Sequence, residues 1–391
     1  MSAPALPRGR APRIERLLPT DEAHDLLDLI HDFCTKELAP IVDEHEREGR
    51  YPTGLFARLG ELGLLGLPFE ERWGGAEQPY EVYLQALEEV ARHWASVAVA
   101  VSVHSMATAA VIRYGDDTLR TELVPRLIAG TRVAAYSLSE PHAGSDVSAL
   151  TCRAESVDSG GYRLTGEKAW ITHGGAADVY VTFARTRLGQ GGVTAFAVPG
   201  DVPGLSFSNP LEKMGLTAIP TASAFLSNAP IPASARLGVE GQGLPIALGA
   251  LDSGRLGIAA VATGLAQAAL DAAVGYSSER EAFGKPIIAH QGLGFLLADM
   301  AAAVDTARAT YVDAARRRDR GLPFTRHASV SKLVATDAAM KVTTDSVQVF
   351  GGAGYTKEFP VERYMREAKV MQIFEGTNQI QRLVIARSLT S

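Results

Sequence analysis

The chain has 391 residues, of which 46% are hydrophobic and 21% are charged, and its formal net charge is −6. This length and composition indicate a globular protein of two or three domains and exclude a disordered or collagen-like chain. The negative net charge and the scattered basic residues argue against a nucleic-acid-binding protein. The two cysteines, Cys34 and Cys152, form no disulfide or metal-binding pattern, so we expect a reducing compartment, the cytoplasm.

The first 16 residues contain three prolines and four arginines but no apolar stretch of the kind found in signal peptides. We interpret them as a flexible arm, and a short organelle-targeting role stays open. The stretches 96–112 and 256–275 are apolar, but small and polar residues interrupt them. A membrane-spanning helix needs about 20 strongly apolar residues, so these stretches predict helices buried in a bundle and no membrane contact.

Residues 1–130 are predicted to form an all-helical N-terminal domain. Thr20 offers a helix N-cap, and apolar residues then follow at helical spacing up to Pro40. Two further stretches, 54–67 and 79–104, repeat this spacing.

From 131 to 236 the sequence changes to strand-like alternation. The stretches 151–157 and 162–171 alternate, and the Asp-Ser-Gly-Gly segment between them is typical of a turn. Further strands are expected at 178–186 and 192–199. Glycine and proline interrupt the region at short intervals, which predicts a small antiparallel β-domain resembling a barrel or sandwich.

Residues 237–391 are predicted to form a C-terminal four-helix-bundle domain. Amphipathic or alanine-rich patterns predict helices over 244–278, 291–317 and 325–350, with a last helix beginning near Thr377. The whole chain is therefore predicted to be an α+β multidomain protein in which helices precede and follow a β-domain.

Several common catalytic motifs are missing: GxGxxG after a strand, GxxxxGK[ST], HExxH and GxSxG. Their absence disfavours a Rossmann dehydrogenase, a P-loop NTPase, a zinc protease and an α/β-hydrolase. None of the nine histidines pairs with another at metal-ligand spacing, so we predict no metal site. Three loops rich in small and hydroxyl residues, 136–146, 170–175 and 374–379, suit a large, partly anionic cofactor, although turns and helix caps use the same residues.

Five motifs, in order along the chain, resemble the acyl-CoA dehydrogenase family, and most closely its short- and branched-chain members. They are YSLSEPHAGSD from Tyr136, AWITHGG from Ala169, ERxxFGKPI from Glu279, QVFGGAGY from Gln348 and IFEGTNQIQRLVIAR from Ile373. The resemblance covers about residues 20–389. It implies the α,β-dehydrogenation of an acyl-CoA thioester to the trans-2-enoyl-CoA, with FAD as cofactor and an electron-transfer flavoprotein as acceptor. It also implies a homotetramer or a dimer.

The resemblance further implies which residues bind FAD. The first motif would hold the polar edge of the flavin through Tyr136, Leu138, Ser139, Gly144 and Ser145. The second would pack an indole on the ring and place a hydroxyl near N5, through Trp170, Ile171 and Thr172. The third would reach the pyrophosphate side of a neighbouring subunit's FAD through Arg280, Phe283 and Gln291. The two C-terminal motifs would hold the adenine end and complete the site through Gln348, Val349, Gly351, Gly352, Thr377, Asn378 and Gln379.

For the substrate, the resemblance implies contacts with the CoA portion from Ser145, Asp252, Arg255 and Gly376. It implies that Glu375 takes the α-proton while a hydride leaves the β-carbon for flavin N5. The Glu375 backbone N–H and a ribityl hydroxyl of FAD would polarise the thioester carbonyl. From the residues alone, Glu375 could equally cap the helix that begins near Thr377. Some relatives carry the base on an earlier helix, at the position of Gly254 here, and glycine cannot take a proton.

Two histidines depart from the family pattern. His142 stands where a small residue is usual and His173 where an amide is common, and either imidazole could tune the flavin or only line its loop. The segment 218–223 is less polar than is usual in the family. Residues 94–106 are expected to line the far end of the acyl pocket, where their small side chains leave room for a short or branched chain.

Two other functions compete with the dehydrogenase. One is a flavin oxidase or monooxygenase on the same scaffold, and the other is a non-catalytic helical scaffold that only binds acyl-CoA. Relatives of the oxidase type often lack the C-terminal glutamate that is present here as Glu375. The glutamate and the flavin loops also argue against a non-catalytic scaffold.

Overall fold

A computed structural model describes residues 13–158, 160–189 and 191–390, and these form helices, then a β-sheet, then helices, in the predicted order. Residues 1–12 of the expected flexible arm lie outside the described residues. The prediction of a flexible arm is wrong at Arg16, whose side chain is 4% exposed and pairs with Glu88 at 3.1 Å and Glu89 at 3.0 Å. A buried guanidinium held by two carboxylates is fixed, because leaving either charge unpaired inside the protein is costly.

Within residues 13–130, six α-helices form the N-terminal region: α1 Asp21–Phe33, α2 Val42–Glu48, α3 Leu55–Glu61, α4 Tyr80–His93, α5 Ala95–Tyr114 and α6 Asp117–Ile128. Helix α1 starts as predicted, because Thr20 Oγ1 accepts from Ala23 N at 3.1 Å. Helix α3 ends earlier than the pattern over 54–67 predicts, since Gly63 has a left-handed φ of 81° and a short 3-10 turn follows it.

The predicted helical stretch 79–104 is divided between α4 and α5 at Trp94. Its backbone is extended there, with φ −155°, and the indole Nε1 donates to Glu46 Oε1 at 2.7 Å. The tertiary hydrogen bond to a buried carboxylate therefore outweighs the helical pattern at one residue.

Eight strands form the central sheet in the order β6-β7-β3-β2-β4-β5-β8, with β1 paired to β4. They are β1 Ala134–Ser137, β2 Arg153–Ser156, β3 Tyr162–Thr172, β4 Val179–Arg185, β5 Val193–Pro199, β6 Leu205–Phe207, β7 Thr221–Ile231 and β8 Arg236–Leu237. Most neighbours are antiparallel, as predicted, whereas β4 runs parallel to β1 and, at one residue pair, to β2. The sheet begins after α6 and ends at Leu237, so it separates the two helical groups in the chain.

The C-terminal region contains a short hairpin, β9 Glu281–Ala282 and β10 Lys285–Pro286, and five helices: α7 Gly243–Glu279, α8 Gln291–Asp319, α9 Thr325–Phe350, α10 Val361–Met371 and α11 Asn378–Arg387. Helix α10 was not predicted. Helices α7, α8 and α9 pack on one another, and α4 and α5 pack on α7, so the two helical groups share a core.

Among the described residues, helices α5 and α7 are long and apolar enough to cross a membrane by length and composition. Of their most apolar windows, 89% and 72% of the residues are buried inside the protein. Both helices pack into the shared core described above. The interrupted apolar stretches predict such buried helices.

Candidate active site

Glu375 lies in the loop between α10 and α11 in a left-handed backbone conformation, with φ 54°. That conformation is uncommon for a residue other than glycine and often marks a functional position. The carboxylate Oε2 is buried and has no hydrogen-bond partner among the described residues. Burial raises the pKa of the Glu375 carboxyl to about 7, against the opposing charges of Arg255 and Lys332. A carboxyl that is half ionised near neutral pH is suited to act as a general base.

Glu375 does not cap helix α11. The N-cap is Thr377, whose Oγ1 accepts from Ile380 N at 3.2 Å. The Glu375 backbone N–H has no acceptor among the described residues. Polar groups inside proteins are normally paired. The unpaired Glu375 Oε2 and the unpaired Glu375 N–H are therefore both available to a ligand.

Gly254 of α7 faces the Glu375 carboxylate. A Cβ built on Gly254 would lie 2.7 Å from Glu375 Oε2 and 2.9 Å from Met106 Sδ. Both distances are shorter than carbon contacts allow. The absence of a side chain at this position therefore lets the carboxylate lie between α5 and α7. The sequence excluded Gly254 as a base, but the contact with Glu375 and the position of Met106 become visible only in the structure.

Asp252 and Arg255 lie on the same helix and pair with each other at 2.7 Å. The Arg255 side chain is buried, and its Nε has no partner among the described residues. Thr325 Oγ1 donates to the second oxygen of Asp252 at 2.6 Å. Arg255 lies close enough to Glu375 for the charges of these two residues to interact. The predicted contacts of Asp252 and Arg255 with CoA stay predictions.

Tyr136 is the residue of the first motif that meets this region. It lies on β1, and its hydroxyl donates to Ala247 O on α7 at 3.4 Å. Burial raises the pKa of the Tyr136 phenol well above its usual value, and the charge of Glu375 adds to that shift. The phenol therefore stays protonated and neutral at physiological pH.

The loop that follows Tyr136 is held from behind by Glu140. Its carboxylate oxygens accept from Thr151 N at 2.6 Å, from Cys152 N at 2.9 Å and from the buried Lys168 Nζ at 2.9 Å. Lys168 Nζ also donates to the Leu138 carbonyl at 3.0 Å. Leu138 was predicted as a site residue and Lys168 was not, and the ion pair between Glu140 and Lys168 fixes the loop from the inside.

The outer side of the same loop is open. Ser145 and Gly144 are exposed, and a Cβ on Gly144 would meet nothing within 4 Å. Ser139 is half-buried, and its carbonyl accepts from Ala169 N at 2.9 Å. His142 is exposed, with Nε2 3.6 Å from Glu140. The loop therefore presents main chain and hydroxyls outward, as the cofactor prediction requires.

Trp170 stands at the end of β3, beside that loop. It has a left-handed φ of 57°, and 56% of its surface is exposed. The pairing of β3 with β7 shifts register between Lys168 and Ile171, and this bulge turns the indole outward while Ile171 is buried. Bulges commonly re-aim a side chain beside a functional site. Thr172 is half-buried at the strand end.

His173 is buried and points inward. Its ring packs edge-on against Phe56 at 5.1 Å and Tyr51 at 5.9 Å between ring centres. Neither ring nitrogen has a partner among the described residues. Burial lowers the pKa of His173 to about 3, with smaller contributions from His104 and Lys213, so the ring is neutral. A neutral ring packed against two aromatic side chains lines the loop from the protein interior.

The residues of the third and fourth motifs, of which only those of the third are predicted to reach a neighbouring subunit, lie mostly on the surface of this chain. Arg280, Gln291 and Gln348 are exposed, and Phe283 is 96% exposed with φ 55°. Gly351 and Gly352 are exposed as well, with open space around each, whereas Val349 is buried. The exposed Arg280 and Phe283 are therefore accessible to a partner on this surface.

Asn378 is fully engaged within the chain. Its side chain donates to Asp337 Oδ1 at 2.7 Å, and its Oδ1 accepts from Lys332 Nζ at 2.8 Å and Thr336 Oγ1 at 3.1 Å. Gln379 is exposed. Lys332 was not predicted as a site residue. The sequence feature that points to Lys332 is a lysine among small residues on the buried face of α9. A charged side chain is rarely buried unless it has partners there.

The residues of these loops fit a flat, polar cofactor. An outward-facing indole, a glycine with open space around it and an exposed serine occur along Tyr136–Ser145 and Trp170–Thr172, and the charge of Glu375 acts on Tyr136 in the first of these segments. Backbone N–H groups and hydroxyls are the donors that the carbonyls and ring nitrogens of a flavin need.

One group among the described residues has metal-ligand atoms close together, His31, Glu89 and His93. Glu89 already pairs with Arg16 at 3.0 Å, and Arg92 lies 3.5 Å away. Two guanidinium groups beside the only carboxylate repel a cation, so this group is an ion-pair cluster.

Comparison with known proteins gives a consistent result along the chain. The family models described as the N-terminal, middle and C-terminal domains of acyl-CoA dehydrogenase match residues 20–131, 135–229 and 241–390. The short-chain-specific acyl-CoA dehydrogenase of Megasphaera elsdenii is 42% identical over 95% of this chain and 98% of its own length.

Solved structures agree with the sequence comparisons. The butyryl-CoA dehydrogenase of Megasphaera elsdenii matches with a TM-score of 0.94 and 40% identity, over 96% of this chain and all of the other. A chain of a structure described as the electron transferring flavoprotein of Acidaminococcus fermentans matches with a TM-score of 0.93 and 38% identity, over 96% of this chain and 99% of that one.

Proposed function

The chain belongs to the acyl-CoA dehydrogenase family, whose members are FAD flavoproteins, and we propose that it desaturates a short- or branched-chain acyl-CoA with Glu375 as the base. The observation that carries this assignment is the buried Glu375 Oε2, which has no partner among the described residues and lies against Gly254. No second acid occupies that position, because the facing residue of α7 is glycine.

The reaction removes a proton from the α-carbon and a hydride from the β-carbon, and a double bond forms between them. FAD, when bound, accepts the hydride. Glu375 takes the proton on its buried oxygen, and the raised pKa of its carboxyl, about 7, makes the carboxylate basic enough to do so near neutral pH. The free Glu375 N–H is available to stabilise the negative charge that develops on the thioester oxygen.

Residues of the two flavin motifs would hold the cofactor. The outer edge of the loop from Tyr136 to Ser145 offers backbone and hydroxyl donors, and the exposed Trp170 offers a flat surface beside it. Glu140 and Lys168 keep this loop rigid without facing outward, because both are buried and bonded to each other. A rigid loop positions a cofactor without paying ordering entropy on binding.

The packing of α5 against α7 supports a short acyl chain. Met106 of α5 lies next to Gly254, and one turn further along α7 a Cβ on Gly257 would lie 2.2 Å from Ser102 Oγ. The two helices are therefore in close contact immediately beyond the carboxylate, which leaves little length for an acyl tail between them. The short-chain specificity of the Megasphaera elsdenii relative points the same way.

An electron-transfer flavoprotein is the proposed electron acceptor, and a homotetramer or dimer the proposed assembly. The similarity to a chain in the Acidaminococcus fermentans structure supports the acceptor. The exposed Phe283, Phe295 and Tyr355 of the C-terminal region support a subunit interface. We also propose a cytoplasmic location.

Replacing Glu375 with Gln tests the assignment, with Glu22→Gln on the surface of α1 as the matched control. Under anaerobic conditions, butyryl-CoA should bleach the flavin of the wild-type and control proteins. Glu375→Gln should keep its FAD and bind the thioester, yet reduce the flavin at least about 100-fold more slowly, because the general base is lost. Bleaching at the wild-type rate in Glu375→Gln would refute the assignment.

A further inference from the structure

Lys332 is a buried cation directly behind the Glu375 loop. It lies on the inner face of α9 with no exposed surface, and its Nζ donates to Gly376 O at 2.9 Å and to Asn378 Oδ1 at 2.8 Å. Lysines are almost never fully buried unless a carboxylate pairs with them. Both acceptors here are neutral amide oxygens, so the charge of Lys332 has no direct hydrogen-bonded counterion among the described residues.

The two acceptors of Lys332 belong to the segment that directly follows the base. Gly376 follows Glu375 directly, and both have left-handed backbones, with φ 84° and 54°. Asn378 begins α11 and is held in turn by Thr336 and Asp337 of α9. A left-handed backbone is strained at a residue other than glycine, so the conformation of Glu375 persists only where neighbouring groups hold it, whereas Gly376 adopts it readily. The Lys332 hydrogen bonds tie this turn to α9.

The charges around Glu375 come from several elements. Arg255 faces it from α7, but Asp252 offsets that charge at 2.7 Å. Asp337 of α9 lies near Lys332, and Arg382 of α11 offsets it at 3.1 Å. Tyr136 of β1 is neutral. Unlike Arg255, Lys332 is a cation near the Glu375 carboxylate that forms no ion pair among the described residues. A cation in that position favours the ionised form of a neighbouring carboxyl.

We propose that Lys332 is a positioning residue for the base: its hydrogen bonds hold the Glu375–Gly376 turn, and its charge lowers the pH at which Glu375 becomes ionised. This inference rests on the proposed role of Glu375. Burial lowers the pKa of the Lys332 ammonium to about 7, while the charges of Glu375 and Asp337 oppose that shift. The two groups therefore titrate over the same pH range, and the charge of each stabilises the charged form of the other.

The pH dependence of flavin reduction separates this role from a purely structural one. A base must be ionised, so the rate rises with pH through the pKa of Glu375. Lys332→Met removes the cation, and the midpoint of the rising limb should move up by about one pH unit. At pH 7 the ionised fraction would then fall from about one half to about one tenth, a loss of about fivefold that disappears at high pH. A role in folding or packing alone would lower the rate at every pH and leave the midpoint in place.

Three variants and one control make the test complete. Lys332→Gln is neutral but retains N–H donors, so it should show the same rise in the midpoint. It replaces Lys332→Met in the test if that variant does not fold. Lys332→Arg carries a positive charge at every pH of the test, so its midpoint should not rise above that of the wild type. Lys341→Met removes an exposed lysine of the same helix, which pairs with Asp345 at 2.6 Å, and should change nothing.

An infrared titration of the holoenzyme gives a second readout that needs no turnover. The Glu375 carboxyl band is assigned by its loss in Glu375→Gln, and its midpoint should rise by about one unit in the neutral variants. An unmoved midpoint in Lys332→Met and Lys332→Gln would overturn the inference, as would an equal shift in Lys332→Arg. If Glu375→Gln instead reduced the flavin normally, the proposed base itself would be wrong, which is a different result.

Discussion

Adding one methyl group at Gly254 should displace the Glu375 carboxylate. In Gly254→Ala the new Cβ would lie 2.7 Å from Glu375 Oε2 and 2.9 Å from Met106 Sδ, so both side chains must move away. Restoring ordinary contact distances requires a movement of about 1 Å. A misplacement of that size at a reacting group costs about 10- to 100-fold in rate.

The same substitution should change stability little. Gly254 lies inside helix α7, where alanine is favoured over glycine by about 1 kcal/mol. Overpacking a tight contact costs about 1–3 kcal/mol, and the cost is at the low end here because the atoms that must move are the ends of flexible side chains. We therefore expect a folded protein whose free energy of unfolding lies within about 2 kcal/mol of the wild type.

The assay is anaerobic stopped-flow reduction of the bound flavin by butyryl-CoA, together with chemical denaturation. Gly249→Ala is the matched control, since it lies on the same helix and a Cβ there would meet nothing within 4 Å. Gly249→Ala should reduce its flavin at the wild-type rate, and Gly254→Ala should be about 10- to 100-fold slower. A wild-type rate in Gly254→Ala would show that the carboxylate does not need to lie against α7.

Three further outcomes are expected. Arg280→Ala should lower the ratio of FAD to protein and loosen the oligomer on a sizing column, and a monomer with full FAD would contradict the subunit-interface site. Glu140→Gln should lower the free energy of unfolding by about 3–5 kcal/mol, because Lys168 keeps a buried charge without its partner, whereas the exposed Glu155→Gln should change it by less than about 1 kcal/mol. Burial opposes ionisation of Glu140, but Lys168 and backbone N–H groups hold the pKa of its carboxyl below 4.5, so its contribution is present above about pH 4.5 and is lost as the pH falls further. Aerobic turnover should release little peroxide, and peroxide matching turnover would favour an oxidase.

Local sequence patterns predicted the secondary structure correctly where a helix cap or helical spacing was clear. The N-cap at Thr20 and the helix over Thr325–Phe350 were both predicted from sequence, because capping and helical spacing depend on neighbouring residues alone. Trp94 shows the limit of this reasoning. Its indole bonds to Glu46, 48 residues away in the chain, and no local pattern contains that partner.

The sequence by itself determined the family, the order of helices, sheet and helices, and Glu375 as the candidate base, because these depend on residue identity and order. The tertiary structure decided what surrounds that base. Gly254, Met106 and Lys332 come from three different helices, α7, α5 and α9, and only their packing brings them to the Glu375 loop. The pKa of the carboxyl depends on burial and on these neighbours, which are properties of the packed chain and not of any segment.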